Sequence, residues 1–340
     1  MTKKHEFNRD SHLTLMVLKS WDKLLSKKEN YMLQPSRFNL IMISAMYENG
    51  GNTTHRMLDG HPELFVYPFE SQLGTSLSTN FVQTLVPFRY CWPEFPLNGD
   101  VAHDYELFFD EELKTRVRVP ARSKFKDADL QIDEQERKQL FVDYMKNKER
   151  SRANLVEAFF VSTFQAWKNY NRTGNEKAYV GYSPVLALDT EKIFADMPTA
   201  QIIHVVRNPY SGYADTIKRP FPLALKKYVW TWNIMQHMAL TYKEMYPKNF
   251  HIVRFEDLVA SPESAMKKLS DGLGVSFANT MLYPSWNGTK LERVYPWGTI
   301  RIPTTEANLA TMNELSAEQK AEIRSTSIVM LKHFGYDTLC

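Results

Sequence analysis

The sequence predicts an α/β domain built on a central, mainly parallel sheet of five strands. Three observations carry this expectation. Short apolar runs rich in β-branched residues alternate with helical patterns along the whole chain, the order of a parallel sheet. The first run, from Phe38 through Ile43, is apolar enough to be buried on both faces. Two strand ends also lead straight into helix-start signals, Gly50-Gly51 in one case and Asn208-Pro209 in the other.

Taken in order, residues 1–36 are polar, with a short helix expected around Leu13–Leu25 as an N-terminal extension. The first strand then turns through Gly50-Gly51, where backbone conformations closed to other residues are open. Asn52 is expected to cap a helix from Thr53 to about Asp59, and Gly60 suits its C-terminal stop. Free N–H groups and the positive end of the helix dipole converge at such a start and can hold a phosphate. The hydroxyls of Thr53 and Thr54 add donors there. An ordinary strand-to-helix turn that binds nothing is the competing reading.

A second strand is expected over Glu63 to Glu70, with Glu70 at its C-terminal end, where ligands sit in open α/β sheets. From Ser71 to about residue 125 the prolines at 87, 93, 96 and 120 and many aromatics describe a loop-rich insertion, assigned to the walls of a substrate pocket. Residues 130–170 are helical in pattern. Leu140, Phe141, Tyr144 and Met145 recur at helical spacing, as do Leu155, Phe159, Phe160 and Phe164. The lysines and arginines between 137 and 152 are expected on a solvated face.

Ala178–Gly181 reads as a strand, and Asp189–Ala195 as a helix. Gln201 to Val206 is a buried strand of mostly β-branched residues. Arg207 stands at its end, before Asn208 as N-cap and Pro209 at the first helical position, in another anion-friendly place. Ser211, Asp215 and Arg219 share a face of the following helix. An arginine held structurally by Asp215 is the alternative there. A long helix covers Leu223–Tyr246, with Tyr228, Trp230 and Trp232 assigned to the core. His251 to Phe255 is the fifth strand, and Glu256-Asp257-Leu258 begins a turn. Ser261-Pro262-Glu263 starts a helix whose Met266, Leu269 and Leu273 face the core, ending at Gly272 or Gly274. The capping box Ser316-x-x-Gln319 and the apolar trio Ile328, Leu331 and Phe334 announce a final helix.

The 340 residues are expected to form a single domain. A net charge of +3 is too mild to argue for nucleic acid and is compatible with an anionic small-molecule ligand. No apolar run reaches the roughly 18–20 residues of a membrane span, and no secretory signal is evident. Cys91 and Cys340 make neither a disulfide framework nor a zinc site, which suits a reduced, cytoplasmic compartment. A nucleotide kinase or hydrolase would need Gly-x-x-x-x-Gly-Lys-Ser/Thr, and the sequence has no such run.

Three of these units, in this order, resemble the PAPS-dependent sulfotransferase superfamily, PAPS being 3′-phosphoadenosine 5′-phosphosulfate. Gly50-Gly51-Asn52-Thr53-Thr54 leading into Met57-Leu58-Asp59-Gly60-His61-Pro62 is similar to the family's 5′-phosphosulfate loop and the helix after it. Ile203 to Pro209 looks like the 3′-phosphate strand and helix start. Val253 to Leu258 with Ser261-Pro262-Glu263 is similar to the late strand and acidic turn, and Phe194 to Pro198 also has the family's look. The match spans about residues 38–275 and is nearest the tyrosylprotein and carbohydrate branch and its bacterial relatives. The resemblance implies a P-loop-like three-layer fold, and sulfuryl transfer from PAPS to a hydroxyl or amine of a small-molecule acceptor without a metal. It also implies cofactor contacts from Gly50, Gly51, Asn52, Thr53, Thr54, Arg207, Asp215 and Arg219.

The departures are as informative. The family's loop opens with a lysine or arginine, and counting back from His61-Pro62 puts Glu48 there. A like charge about 4 Å from a phosphate repels by about 4 kcal/mol at an effective dielectric near 20. Glu48 must therefore point away, be neutral or pair with a cation. A Lys-Thr-Pro-like segment appears as Tyr182-Ser183-Pro184, and Asp215 replaces the serine eight residues after the 3′-phosphate arginine. Arg219 falls where the tyrosine-sulfating branch has a phosphate-binding arginine. His55, Arg56, Arg122, Lys124, Arg293 and Arg301 are the candidates for the missing cation. Glu70 sits where that branch places its catalytic glutamate, so the resemblance makes it the base; a surface or substrate-binding carboxylate is the alternative. Two acids, Glu48 and Glu70, would select a cationic acceptor. A degenerate sulfotransferase fold that binds nucleotide without turnover is the other reading, and the missing loop cation is its support.

Overall fold

The computed structural model describes residues 38–75, 77, 87–291 and 304–340. The expected N-terminal helix at Leu13–Leu25, and Arg293 and Arg301, lie outside them. Five strands form one sheet: β1 (Leu40–Ala45), β2 (Leu64–Val66), β3 (Ala178–Tyr182), β4 (Gln201–Val206) and β5 (Phe250–Arg254). Their order is β2-β3-β1-β4-β5, and every pairing is parallel. The mainly parallel sheet read from the sequence is thus parallel throughout.

Alternate residues of β1 serve two cores. Leu40 and Met42 face one, with Phe160, Ile202 and Trp232; Ile41 and Ile43 face the other, with Leu58, Val180 and Ile203. Helices therefore cover both faces, as a parallel sheet demands. The chain leaves β1 toward β3 and β2 on one side, while β4 and β5 lie on the other. A crevice outside the carboxyl ends of β1 and β4 is where that topology places a ligand.

Several boundaries differ from the sequence expectation, each for a physical reason. The first helix, α1, runs Gly51–Leu58, and its N-cap is Gly50 rather than Asn52. Gly50 takes φ +87°, so the chain turns into the helix before Asn52 is reached. Strand β2 stops at Val66, because Pro68 cannot donate to the ladder, although Tyr67 and Ser71 still bond to Val180 and Tyr182 of β3. The loop-rich insertion contains two helices, α2 (Val101–Leu107) and α3 (Glu111–Arg118). Their starts carry Asp100 and Asp110, but each offers too few apolar residues to show a helical stripe.

Helices α4 (Glu134–Met145) and α5 (Arg152–Ala166) pack behind the insertion. The solvated face expected from residue 137 onward fails at its first member. Arg137 is fully buried, on Asp110 at 2.7 Å and Thr163 at 3.0 Å. After α6 (Thr190–Asp196) and β4, Asn208 caps α7 (Pro209–Ile217), with Pro209 at its first position. Helix α8 (Leu225–Met245) buries Tyr228 and Trp232 as expected, but leaves Trp230 61% exposed. The segment read as a turn after β5 is a short helix, α9 (Phe255–Ala260), followed by α10 (Pro262–Leu273), which stops at Gly274. Helices α11 (Thr305–Met312) and α12 (Ala317–Phe334) close the chain, the latter with the capping box formed on both sides. No helix among the described residues is long and apolar enough to cross a membrane.

Candidate active site

At the carboxyl ends of β1, β3 and β4 the chain leaves an open cavity of about 480 Å³. Gly50, Gly51, Asn52, Thr53, Glu70, Arg207, Asp215 and Arg219, all singled out in the sequence, line it. Thr54 does not, since it is buried and its hydroxyl donates to the Gly50 carbonyl at 3.0 Å.

The anion-holding feature is built by the backbone. The amides of Gly50, Gly51, Asn52 and Thr53 have no hydrogen-bond acceptor among the described residues; the first satisfied amide is that of Thr54, on Gly50. No side chain caps the helix, so these N–H groups and the helix dipole face the cavity unspent. Close packing holds the turn. A Cβ on Gly50 would come within 2.2 Å of the Phe255 ring, and one on Gly51 within 2.6 Å of the Tyr182 ring.

The loop is also tied to β4. Trp232 Nε1 donates to the Asn49 side-chain oxygen and to the Arg207 carbonyl, each at 3.2 Å, and Asn49 Nδ2 donates to Tyr228 Oη at 3.0 Å. The Arg207 guanidinium donates from Nη1 to the Glu48 carbonyl and to the Asp215 carboxylate, both at 2.8 Å, and from Nε to the Asn308 side-chain oxygen at 2.6 Å. It lies 5.1 Å over the Phe255 ring. The sequence alternative of an arginine held by Asp215 is thus realised in geometry, without removing Arg207 from the cavity wall.

Glu48 adopts φ +57° and turns its side chain into the cavity. Its Oε1 lies 3.7 Å from Arg219 Nε, whose guanidinium also covers the Tyr47 ring at 4.9 Å. Burial raises the Glu48 pKa; Arg219 opposes the shift and Asp215 adds to it. Of the three possibilities for this acid, pairing with a cation is the one observed. The lining cations are likewise matched with acids: Arg207 with Asp215, Arg219 with Glu48, Lys218 with Asp215 and Glu314.

Glu70 belongs to a second cluster. Its backbone N–H donates to Glu112 Oε2 at 3.1 Å, and its Oε2 accepts from Gln72 Nε2 at 3.3 Å. Lys124 forms an ion pair with the other Glu112 oxygen. Burial raises the pKa of Glu70, Lys124 being the largest opposing influence, and burial with the Glu70 charge pushes Glu112 up to about 7. Tyr47, Tyr90 and Tyr182 supply aromatic walls.

Of the other cations considered in the sequence, His55 and Arg56 are buried against each other beneath the loop, with Arg56 stacked on Trp286. Arg122 lies exposed on a 3-10 turn. The sequence reading missed Glu112 and Asn308: neither sits in a motif, and no local signal marks either. Among the described residues no group of His, Cys, Asp or Glu could hold a metal ion.

The sequence profile of the sulfotransferase family matches residues 41–279. No curated protein matches the chain. Among solved structures, the sulfotransferase domain of the Synechococcus PCC 7002 olefin synthase is similar at 17% identity and a TM-score of 0.57, over 89% of this chain and 96% of that one. The sulfotransferase domain from the curacin biosynthetic pathway is similar at 18% identity and a TM-score of 0.51, over 87% and 98%. These two likenesses show the fold, and the profile covers most of the chain. The chain belongs to the sulfotransferase family.

Proposed function

We propose that this protein transfers the sulfuryl group of PAPS to a hydroxyl or amine of a small-molecule acceptor. The observation that carries the reading is that the unpaired amides of Gly50 to Thr53, the Arg207 guanidinium and the Glu70 carboxyl group all open into one cavity. The amides suit the 5′-phosphosulfate, and Arg207 with Arg219 the 3′-phosphate.

Sulfuryl transfer resembles phosphoryl transfer: the attacking and bridging oxygens lie in line, and the protein supplies position and charge. Glu70 takes the acceptor's proton as the new bond to sulfur forms. Its burial raises its affinity for that proton. The departing charge collects on the bridging oxygen, toward the amides at the start of α1. Glu48 and Glu70 with three tyrosine rings would favour an acceptor carrying a cationic group.

One observation favours a second reading, nucleotide binding without turnover. Among the described residues every cation lining the cavity is matched by an acid, and Glu48 stands where the family resemblance expects a lysine or arginine. Calorimetry with adenosine 3′,5′-bisphosphate, followed by transfer of radiolabelled sulfate from PAPS to a panel of alcohols and amines, separates the two. Binding together with transfer that Glu70→Gln lowers by about 10²–10⁴-fold supports the enzyme. Binding with no transfer to any acceptor supports the second reading, and no binding sinks both.

A further inference from the structure

We propose that Glu112 and Lys124 are positioning residues for Glu70, the Glu112 carboxylate holding the Glu70 backbone and, with Lys124 as counter-ion, governing when the Glu70 side chain accepts a proton. The proposal rests on the reading of Glu70 as the base. Its geometric part stands on contacts between three segments distant in sequence.

Glu112 uses both oxygens: Oε2 accepts from the Glu70 N–H at 3.1 Å, and Oε1 meets the Lys124 ammonium. Its side chain is only 7% exposed, whereas that of Lys124 is 52% exposed and open to solvent. The arrangement is clamped by neighbouring rings. Phe69, just before Glu70, stacks on Phe125, just after Lys124, with centroids 4.0 Å apart. The base and the counter-ion are thus held on adjoining backbones, and Glu112 closes the third side.

The remaining groups facing the pair are few. Gln72 donates to Glu70, and Tyr90 from the 3-10 turn hydrogen bonds to it. Arg89 of the same turn acts on Glu70 from a distance while paired with Glu111 at 2.9 Å. Tyr182 of β3 faces both acids, Tyr47 faces Glu70, and Glu111 and Glu48 act on Lys124. Lys124 is therefore the only cation in direct contact with the pair among the described residues.

Glu70 and Glu112, joined through the Glu70 backbone N–H and both under the Lys124 charge, do not ionise independently. The Glu70 charge raises the proton affinity of Glu112, and by reciprocity a charged Glu112 raises that of Glu70, so the first proton belongs to the pair; Lys124 opposes the effect on both. In the transfer step the acceptor's proton moves to a Glu70 oxygen, the acceptor's bond to sulfur forms, and the sulfur bond to the bridging oxygen of PAPS breaks. A merely structural role for Glu112 would need only an acceptor for the Glu70 N–H, which a glutamine also provides. Charge is what distinguishes the two roles.

The test uses the full chain with ¹³C-labelled glutamate, followed by infrared titration of its buried carboxyl groups. Wild type should show a carboxyl midpoint near pH 7. Glu112→Gln should abolish it, and Glu70→Gln should move it down by about one pH unit. In the transfer assay, Glu112→Gln should shift the acidic limb of kcat to lower pH and leave KM for PAPS within about twofold. Lys124→Met, which keeps both acids and covers the case of a Glu112 variant that does not fold, should shift the midpoint and the limb to higher pH. A midpoint unmoved in both Glu70→Gln and Lys124→Met, or a Glu112→Gln pH profile that superimposes on wild type, overturns the proposal. Coupled midpoints in a protein that transfers sulfate to no acceptor would support the pairing and overturn the sulfuryl-transfer reading instead.

Discussion

Arg207 reaches across 159 positions of sequence to donate to the carbonyl of Glu48 at 2.8 Å. The residue at the end of β4 thereby fixes the loop that opens α1, and the two halves of the cavity wall are set as one piece.

Arg207→Lys keeps the charge but loses the fork that serves Glu48, Asp215 and Asn308 together. Charge-assisted hydrogen bonds of this kind contribute about 1.5–3 kcal/mol each. Calorimetry with adenosine 3′,5′-bisphosphate should show affinity lowered by about 10–100-fold. Affinity within twofold of wild type would mean that Arg207 is purely structural.

Nucleotide affinity should depend on pH through Glu48. Burial raises its pKa, so its protonated fraction grows as pH falls, and a repulsive charge beside the bound anion disappears. Wild-type affinity should therefore rise from pH 8 to pH 5.5 relative to that of Glu48→Gln, in which the ligand and the Glu70–Glu112 pair still titrate. At pH 7.5 the variant should bind about tenfold more tightly, since about 1.4 kcal/mol of repulsion is removed.

Gly50→Ala tests the turn. The residue sits at φ +87°, and its new Cβ would lie 2.2 Å from the Phe255 ring. A left-handed conformation costs a non-glycine residue about 1–3 kcal/mol, and displacement of the ring adds to that. A lower thermal midpoint with nucleotide binding lost is expected. Unchanged melting would show that the loop has room to move.

Arg137→Met addresses stability away from the cavity. Arg137 and Asp110 are both fully buried at 2.7 Å, and Tyr67 donates to the same aspartate at 2.5 Å. Removing one partner strands a buried charge, at a cost of about 3–5 kcal/mol in denaturant unfolding. The double variant Arg137→Met, Asp110→Leu should recover part of that loss, because neither charge then remains.

The sheet and the phosphate-type loop were legible because their signals are local. The apolar run of β1, the Gly50-Gly51 pair and Asn208-Pro209 each declare themselves within a few residues. Asn52 misled because it is a good cap by type, while the conformation of Gly50 decides where the helix starts. Arg137 and Trp230 misled because charge and aromaticity report burial only on average. Glu112 was invisible because its part in the site is a contact with Glu70, 42 positions away, within a charged helix that looks like any other surface.

The stack of Phe69 on Phe125 has an implication for engineering. It joins the insertion to the end of the β2 segment at the very point where the acid and its ammonium neighbour emerge. Swapping residues 71–125 for the equivalent stretch of another sulfotransferase, with a view to changing the acceptor, would detach the proton-accepting group from the parts that aim it. A working chimera must carry both rings across the junction as a single cassette.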